Sequence, residues 1–392
     1  MTIKFAFDFD GVCTDLSFLA EKEVDRSEFL YSPISFFICP IRTGIVQLMS
    51  VSSFFSNIFI LTSRPEEAKP FIKKWLLENQ LLDLVEDIIC CNGRPKINVM
   101  KEHKIDVLVD DEKRNLPDHI VDFKFILWQD QYWIDLLKNI LEYFIASRAR
   151  LKNNPRSFLK EFKLSTDIGA SPVFILTLND RRNIKLRLCS NNQTRDRIIS
   201  FLRITEENRY SHVAVLIAVN GLAILKTYIE GVNVSSLREQ DRMDMIFKVG
   251  VALAKLHSIE VDEFNSDFRL EVLNDGVSLL VFSADNYNII VTETGEIAFI
   301  DLEACNVGSR WVDYFWAREQ LCQSDREKLI LKEGYFSVYM GNLLCPDEEK
   351  MARLSYKVWL TYQFQQSKLA HASNLQKVSL INKAFQDLWS LE

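Results

Sequence analysis

The sequence predicts an α/β protein built in two parts. Residues 1–148 read as an open parallel sheet wound with helices, residues 149–157 as a linker, and residues 158–392 as an α+β domain of two lobes. Three observations predict this. Short apolar runs alternate with helical patterns through the first part, as a parallel sheet with helical crossovers requires. A polar, basic stretch ending in Pro155 interrupts the alternation. Beyond it, strand-like runs follow one another with a single helical stretch among them. A chain of 392 residues can also bury two or more separate cores.

In the first part the spacing predicts strands at 3–7, 57–61, 87–91, 106–109 and 123–128. Helices are expected near 44–53, 65–79, 97–103 and 131–146, the second with Pro65 in its first turn and Glu66 and Glu67 at the positive end of its dipole. In the second part strands are expected at 172–177, 184–189, 213–218 and 223–228. Residues 179–182 would turn between the first two, and a helix at 195–203 would separate the second from the third. Residues 350–391 have a helical pattern whose Leu354, Val358, Leu360, Tyr362 and Phe364 are expected to pack rather than bind a cofactor.

Composition narrows the function class. With 48% hydrophobic and 26% charged residues the chain fits the soluble globular range. Its net charge of −7 gives no overall basic footprint, so neither nucleic acid nor an acidic membrane surface is an expected partner. The first residues lack the basic and apolar regions of a signal peptide, and no apolar window is long enough to span a bilayer. The eight cysteines are scattered, without zinc-site spacing, and read as reduced thiols of a cytoplasmic protein. Oligomeric state stays open.

Chemistry concentrates where the first-part strands end. Asp8 and Asp10 are two residues apart and share one face of a strand, and Gly11 then lets the chain turn. Carboxylates that close repel unless a cation lies between them, and a hard divalent ion with oxygen ligands, Mg²⁺, is the natural one. The bland alternative is an Asp-Gly turn leaving a strand. In open α/β sheets the working residues lie just past the carboxyl ends of strands. Three polar clusters fall there: Asp8 with Asp10, then Thr62-Ser63-Arg64, then Asp110-Asp111. In phosphoryl transfer Asp8 would be the nucleophile and Asp10 the acid and base. Thr62 would offer a hydroxyl to a phosphoryl oxygen, or else merely cap the next helix. Lys96, with Lys101 as its competitor, would neutralise charge. Asp110 and Asp111 would complete the Mg²⁺ site with Asp8 and the backbone carbonyl of Asp10.

These motifs, Asp8-x-Asp10-Gly-Val-x-Thr-Asp15, Ile-Leu-Thr62-Ser-Arg-Pro, Lys96 and Val-Leu-Val-Asp110-Asp111, resemble the four motifs of the haloacid dehalogenase superfamily. The likeness is to its phosphatase branch and covers about the first 145 residues. It implies a Rossmann-like sheet and an aspartyl-phosphate on Asp8. The 51 residues between Asp10 and Thr62 and the 33 between Thr62 and Lys96 leave no room for a large cap, as in capless members. The aromatic-rich residues 21–37 are the local candidate for a small lid.

The second part weakly resembles the aminoglycoside phosphotransferase and choline kinase group of protein-kinase-like folds. Gly169-Ala-Ser-Pro-Val-Phe is similar to their nucleotide loop, Arg187 in Ile-Lys-Leu-Arg-Leu to the phosphate-pairing cation, and residues 226–231 to the hinge. Asn288 and Asp301 are similar to the end of the catalytic loop and the metal-binding aspartate, and residues 308–313 to the segment that follows. The resemblance implies that Arg187, Asn288 and Asp301 would hold ATP or another nucleotide. Ser283 stands where the family has its catalytic base, and Asp285 lies three residues before Asn288. A hydroxyl cannot take the substrate proton as a carboxylate can, so phosphotransfer is expected to be lost.

The sequence therefore points to a Mg²⁺-dependent phosphohydrolase acting on a phosphorylated small molecule or head group, with a kinase-like pseudokinase domain as binding or regulatory module. A bifunctional phosphatase and small-molecule kinase, or a non-catalytic nucleotide-sensing regulator, are the alternatives.

Overall fold

Strand β1 (Ile3–Asp8) is the middle strand of a five-stranded parallel sheet whose order is β3-β2-β1-β4-β5. Its companions are β2 (Ser56–Thr62), β3 (Val85–Cys90), β4 (Val107–Asp110) and β5 (Lys124–Leu127). A computed structural model describes residues 2–17, 39–113, 123–129, 132–166, 172–261, 264, 278–281 and 284–339. The expected lid at 21–37, the glycine-bearing loop at 169–171, Ser283 and the helix at 350–391 lie outside the described residues.

Alternation along the strands explains why this sheet is covered on both sides. Phe5, Phe7, Ile58, Ile60, Val107 and Val109 join one core with α1 (Ile45–Ser52), α2 (Lys69–Glu78) and α4 (Trp133–Ala146). Ala6, Phe59, Leu61 and Leu108 face the other way, onto Val99 and Met100 of α3 (Lys96–His103). The helix expected from Pro65 begins instead as a 3-10 turn at Glu66–Ala68, with α2 proper starting at Lys69. Pro70 has no N–H to return to the Glu66 carbonyl, so an α-turn cannot close there.

By compactness the chain divides into Met1–Arg195 with Ile217–Tyr228, and Asp196–Leu216 with Ile229–Glu392. The expected boundary at 148 and the linker at 149–157 are not breaks. β6 (Arg150–Leu151) and β7 (Asn154–Thr166) pair there as antiparallel strands. They open a six-stranded sheet of order β10-β11-β9-β8-β7-β6. Its other strands are β8 (Val173–Leu178), β9 (Asn183–Leu188), β10 (Leu216–Asn220) and β11 (Ala223–Thr227), with α5 (Asn192–Glu207) between β9 and β10. Leu151, Leu159, Phe174 and Leu225 share one apolar core with Phe144 of α4, which is why this sheet belongs to the first unit.

The second unit is built on α6 (Glu239–His257) and α8 (Asp325–Phe336), with α7 (Arg310–Leu321) beside them. Gly250 and Gly334 let the backbones of α6 and α8 touch: a Cβ on Gly334 would lie 2.1 Å from the Phe247 carbonyl oxygen. β12 (Val232–Asn233), β14 (Ile289–Val291) and β15 (Ile297–Phe299) form a small sheet, and β13 (Ser278–Leu280) pairs with β16 (Asn306–Gly308). Among the described residues no helix is long and apolar enough to cross a membrane.

Candidate active site

Three strands end at one place. Asp8 is the last residue of β1, beside Leu61 of β2, and Asp110 is the last of β4, one step beyond the pairing of Phe7 with Val109. Because β2 and β4 flank β1, their loops open a crevice at its carboxyl end. The chain leaves β1 in a closed loop, with the Cys13 and Thr14 amides donating to the Phe9 carbonyl at 3.0 Å. Gly11 makes this turn at φ +85°, and a Cβ there would sit 2.2 Å from an Asp111 carboxylate oxygen. Glycine is therefore needed both for the backbone conformation and to admit Asp111.

Lys96 joins the two strand-end carboxylates. Its Nζ lies 2.7 Å from Asp8 Oδ2 and 2.8 Å from Asp110 Oδ2, and all three side chains are buried. As the first residue of α3 it places a cation at the positive end of a helix dipole, a poor local choice that the two carboxylates offset. The Phe9 amide donates to Asp8 Oδ1 at 2.8 Å, and the Glu112 amide to Asp110 Oδ1 at 2.8 Å. Burial, then Asp110 and Asp10, lift the Asp8 carboxyl well above the usual range despite the pull of Lys96. Burial works against the Lys96 ammonium, but Asp8 and Asp110 outweigh it and hold its pKa above that of an ordinary lysine.

Asp8, Asp110 and Asp111 each present a carboxylate oxygen, and these atoms lie within 4.8 Å of one another. An all-oxygen, anionic set of this size fits a small hard cation such as Mg²⁺. A cation would also relieve the crowding that raises Asp8. The Asp10 carboxylate is outside that grouping. Arg64 holds it with a two-pronged contact, Nε to Oδ2 at 2.9 Å and Nη2 to Oδ1 at 2.7 Å. Thr62 Oγ1 lies 3.5 Å from Asp10 Oδ2 and accepts the Arg64 amide at 3.2 Å. The structure thus brings Asp8, Asp10, Thr62, Lys96, Asp110 and Asp111 to one rim. Lys101, the competitor of Lys96, sits on the last turn of α3 and makes no such contact among the described interactions.

No local pattern assigns a role to Arg64 or to Arg42, yet Arg64 holds Asp10 and Arg42 reaches the turn after β1. The Arg42 guanidinium lies 4.1 Å from the centre of the Trp128 ring and donates to the Gly11 carbonyl, and to that of Trp128 at 3.3 Å. It pins the Asp10–Gly11 turn to the end of β5. The one available signal was an arginine placed among Pro40, Ile41, Thr43 and Gly44, just before an apolar helix.

In the second unit, Asn288 and Asp301 flank the same end of the β14–β15 hairpin, where the Ile300 amide donates to the Asn288 carbonyl at 3.0 Å. Asp285 accepts from the Tyr287 and Asn288 amides at 2.8 and 3.0 Å, and from Asn288 Nδ2 at 3.0 Å. Its pKa is raised by burial and by Asp301, against those N–H donors. Arg187 is buried in β9 of the first unit, opposite Val173 and Ile224.

No family model and no curated protein matches the chain. It is similar to solved structures of several phosphotransferases. One is an ethanolamine kinase from Plasmodium vivax, at 13% identity over 67% of this chain and 96% of that one, with a TM-score of 0.43. Another is a macrolide 2'-phosphotransferase from Brachybacterium faecium, at 11% identity over 57% and 94%, with a TM-score of 0.43. A third is the ADP-bound aminoglycoside phosphotransferase APH(2'')-Ib, at 14% identity over 57% and 92%, with a TM-score of 0.42.

Proposed function

We propose that the chain is a Mg²⁺-dependent phosphomonoester hydrolase of the haloacid dehalogenase type. The observation that carries this is the meeting of Asp8 and Asp110 on Lys96, with an Asp111 carboxylate oxygen within 4.8 Å of theirs, at the carboxyl rim of a parallel sheet. An Asp8 oxygen attacks phosphorus, the ester P–O bond breaks, and Asp10 gives the departing oxygen its proton. Asp10 then takes a proton from a water that attacks the aspartyl-phosphate, releasing phosphate and restoring Asp8. Lys96 shields the approach of the phosphate dianion to the buried carboxylate. Mg²⁺, held by Asp8, Asp110 and Asp111, would stabilise charge on the transferring phosphoryl group.

The test is hydrolysis of para-nitrophenyl phosphate with and without Mg²⁺, comparing the parent with Asp8→Asn. Turnover that needs both the metal and Asp8 supports the reading. Turnover indifferent to Asp8 removes it.

A second reading takes over the activity of the similar structures, phosphorylation of a small molecule. The observation favouring it is the grouping of Asp285, Asn288 and Asp301, which sets a carboxylate of raised pKa beside two metal-binding side-chain types. It predicts an ATP-dependent transfer that survives Asp8→Asn.

A further inference from the structure

Two cations of the rim each hold part of its carboxylate set. Lys96 serves Asp8 and Asp110, and Arg64 serves Asp10. The second pairing is the more directional. A guanidinium fork meeting a carboxylate through two contacts fixes the plane of the carboxylate as well as its distance, which an ammonium cannot do. The Arg64 side chain is 2% exposed and that of Asp10 11%, so packing holds both in place. The Arg64 amide is itself tied to Thr62 Oγ1. The turn after β2 therefore grips, from one side, a carboxylate carried by the turn after β1.

We propose that Arg64 is a positioning residue for the hydrolysis put forward above, on which this inference rests. It acts through Asp10, aiming that side chain as a carboxylic acid at the oxygen that leaves and as a carboxylate at the water that later attacks, and it does not hold the phosphoryl group. A carboxylate on a turn otherwise has several rotamers open to it, and proton transfer requires one.

Two phosphate mimics separate this from other roles without needing the natural substrate. Beryllofluoride on Asp8 imitates the aspartyl-phosphate itself. Tetrafluoroaluminate imitates the in-line transition state, in which Asp10 must hold the apical water. Binding of each, with Mg²⁺, is measured calorimetrically for the full-length parent, Arg64→Lys, Asp10→Asn and the double variant, each first checked for a cooperative melt. The expected result is that Arg64→Lys weakens tetrafluoroaluminate at least about tenfold while beryllofluoride changes by less than about twofold. In the Asp10→Asn background the lysine should cost nothing further, because the two residues act as one. Equal weakening of both mimics would mean that Arg64 touches the phosphoryl group or merely supports the fold, and would overturn the proposal. So would no weakening of either, or an undiminished effect in the Asp10→Asn background. A parent that binds neither mimic defeats the hydrolase reading itself, and the inference with it.

Discussion

Lys96 Nζ stands 2.7 Å from Asp8 Oδ2, with the two side chains 3% and 6% exposed. A pair this deeply buried is costly to break from one side, because the carboxylate left behind has lost its water as well as its partner. Lys96→Met is expected to destabilise the protein by about 3–5 kcal/mol in metal-free buffer. Mg²⁺ should recover more stability for this variant than for the parent, since it then supplies the missing positive charge. Urea titrations of both proteins, with EDTA and with Mg²⁺, measure this. Equal Mg²⁺ responses would show that the ion does not bind beside Asp8.

Gly11 makes a separate prediction about the same ion. Gly11→Ala forces an L-residue to φ +85° and drives a methyl group against the Asp111 carboxylate. Backbone strain alone should cost about 1–2 kcal/mol, and displacing Asp111 should weaken Mg²⁺ about tenfold or more, read by calorimetry. Gly93→Ala is the control. Its φ is +72°, but a Cβ there meets nothing within 4 Å, so it should lower the melting temperature and leave Mg²⁺ affinity as it was.

How much of this was legible in the sequence depends on the range over which each feature is encoded. Asp8, Thr62 and Asp110 could be placed because a strand announces itself locally and its carboxyl end follows. The strands at 150–166 could not be. β7 begins with Asn154 and Pro155 and carries exposed charges, and β6 is two residues long at the sheet edge. A solvent-facing edge tolerates that composition, which in sequence is indistinguishable from a linker. The grip of Arg64 on Asp10 spans 54 positions and that of Arg42 on Gly11 spans 31. Such contacts are set by tertiary geometry, and no periodicity reports them.

The thiols give a pH dependence with a definite sign. Burial pushes Cys39, Cys90 and Cys322 up to about 12 and Cys91 up to about 11, and it raises Cys13 strongly, with Asp8 and Asp10 adding to the effect. Tyr143 is likewise pushed by burial up to about 12. A folded-state pKa above the unfolded value means that the fold favours the protonated group. That stabilisation is whole below the unfolded thiol value near 9 and is lost as the pH climbs towards 11 or 12. Urea midpoints should therefore hold steady from pH 7 to 8.5 and fall between pH 9 and 11. At pH 8 the buried Cys13, Cys39, Cys90 and Cys91 should resist iodoacetamide in the native protein and react in urea, read peptide by peptide by mass spectrometry. Rapid native labelling of Cys39 or Cys91 would contradict the burial on which both expectations depend.

The close approach of α6 and α8 tests the division into two units. Gly334→Ala puts a methyl group 2.1 Å from the Phe247 carbonyl oxygen, and because that atom is backbone no rotamer change relieves the contact. The helices must move apart, at an expected cost of about 1–3 kcal/mol. If the second unit has its own cooperative core, hydrogen exchange should quicken in peptides from 239–257 and 325–336. It should stay unchanged in peptides covering β1, β2 and β4, which pair with one another in a sheet of the first unit. Mg²⁺-dependent turnover of para-nitrophenyl phosphate at 25 °C should then match that of the parent. Loss of protection in β1 or β4 would show instead that the two units unfold together, and that damage between α6 and α8 reaches the rim where Asp8 and Asp110 meet Lys96.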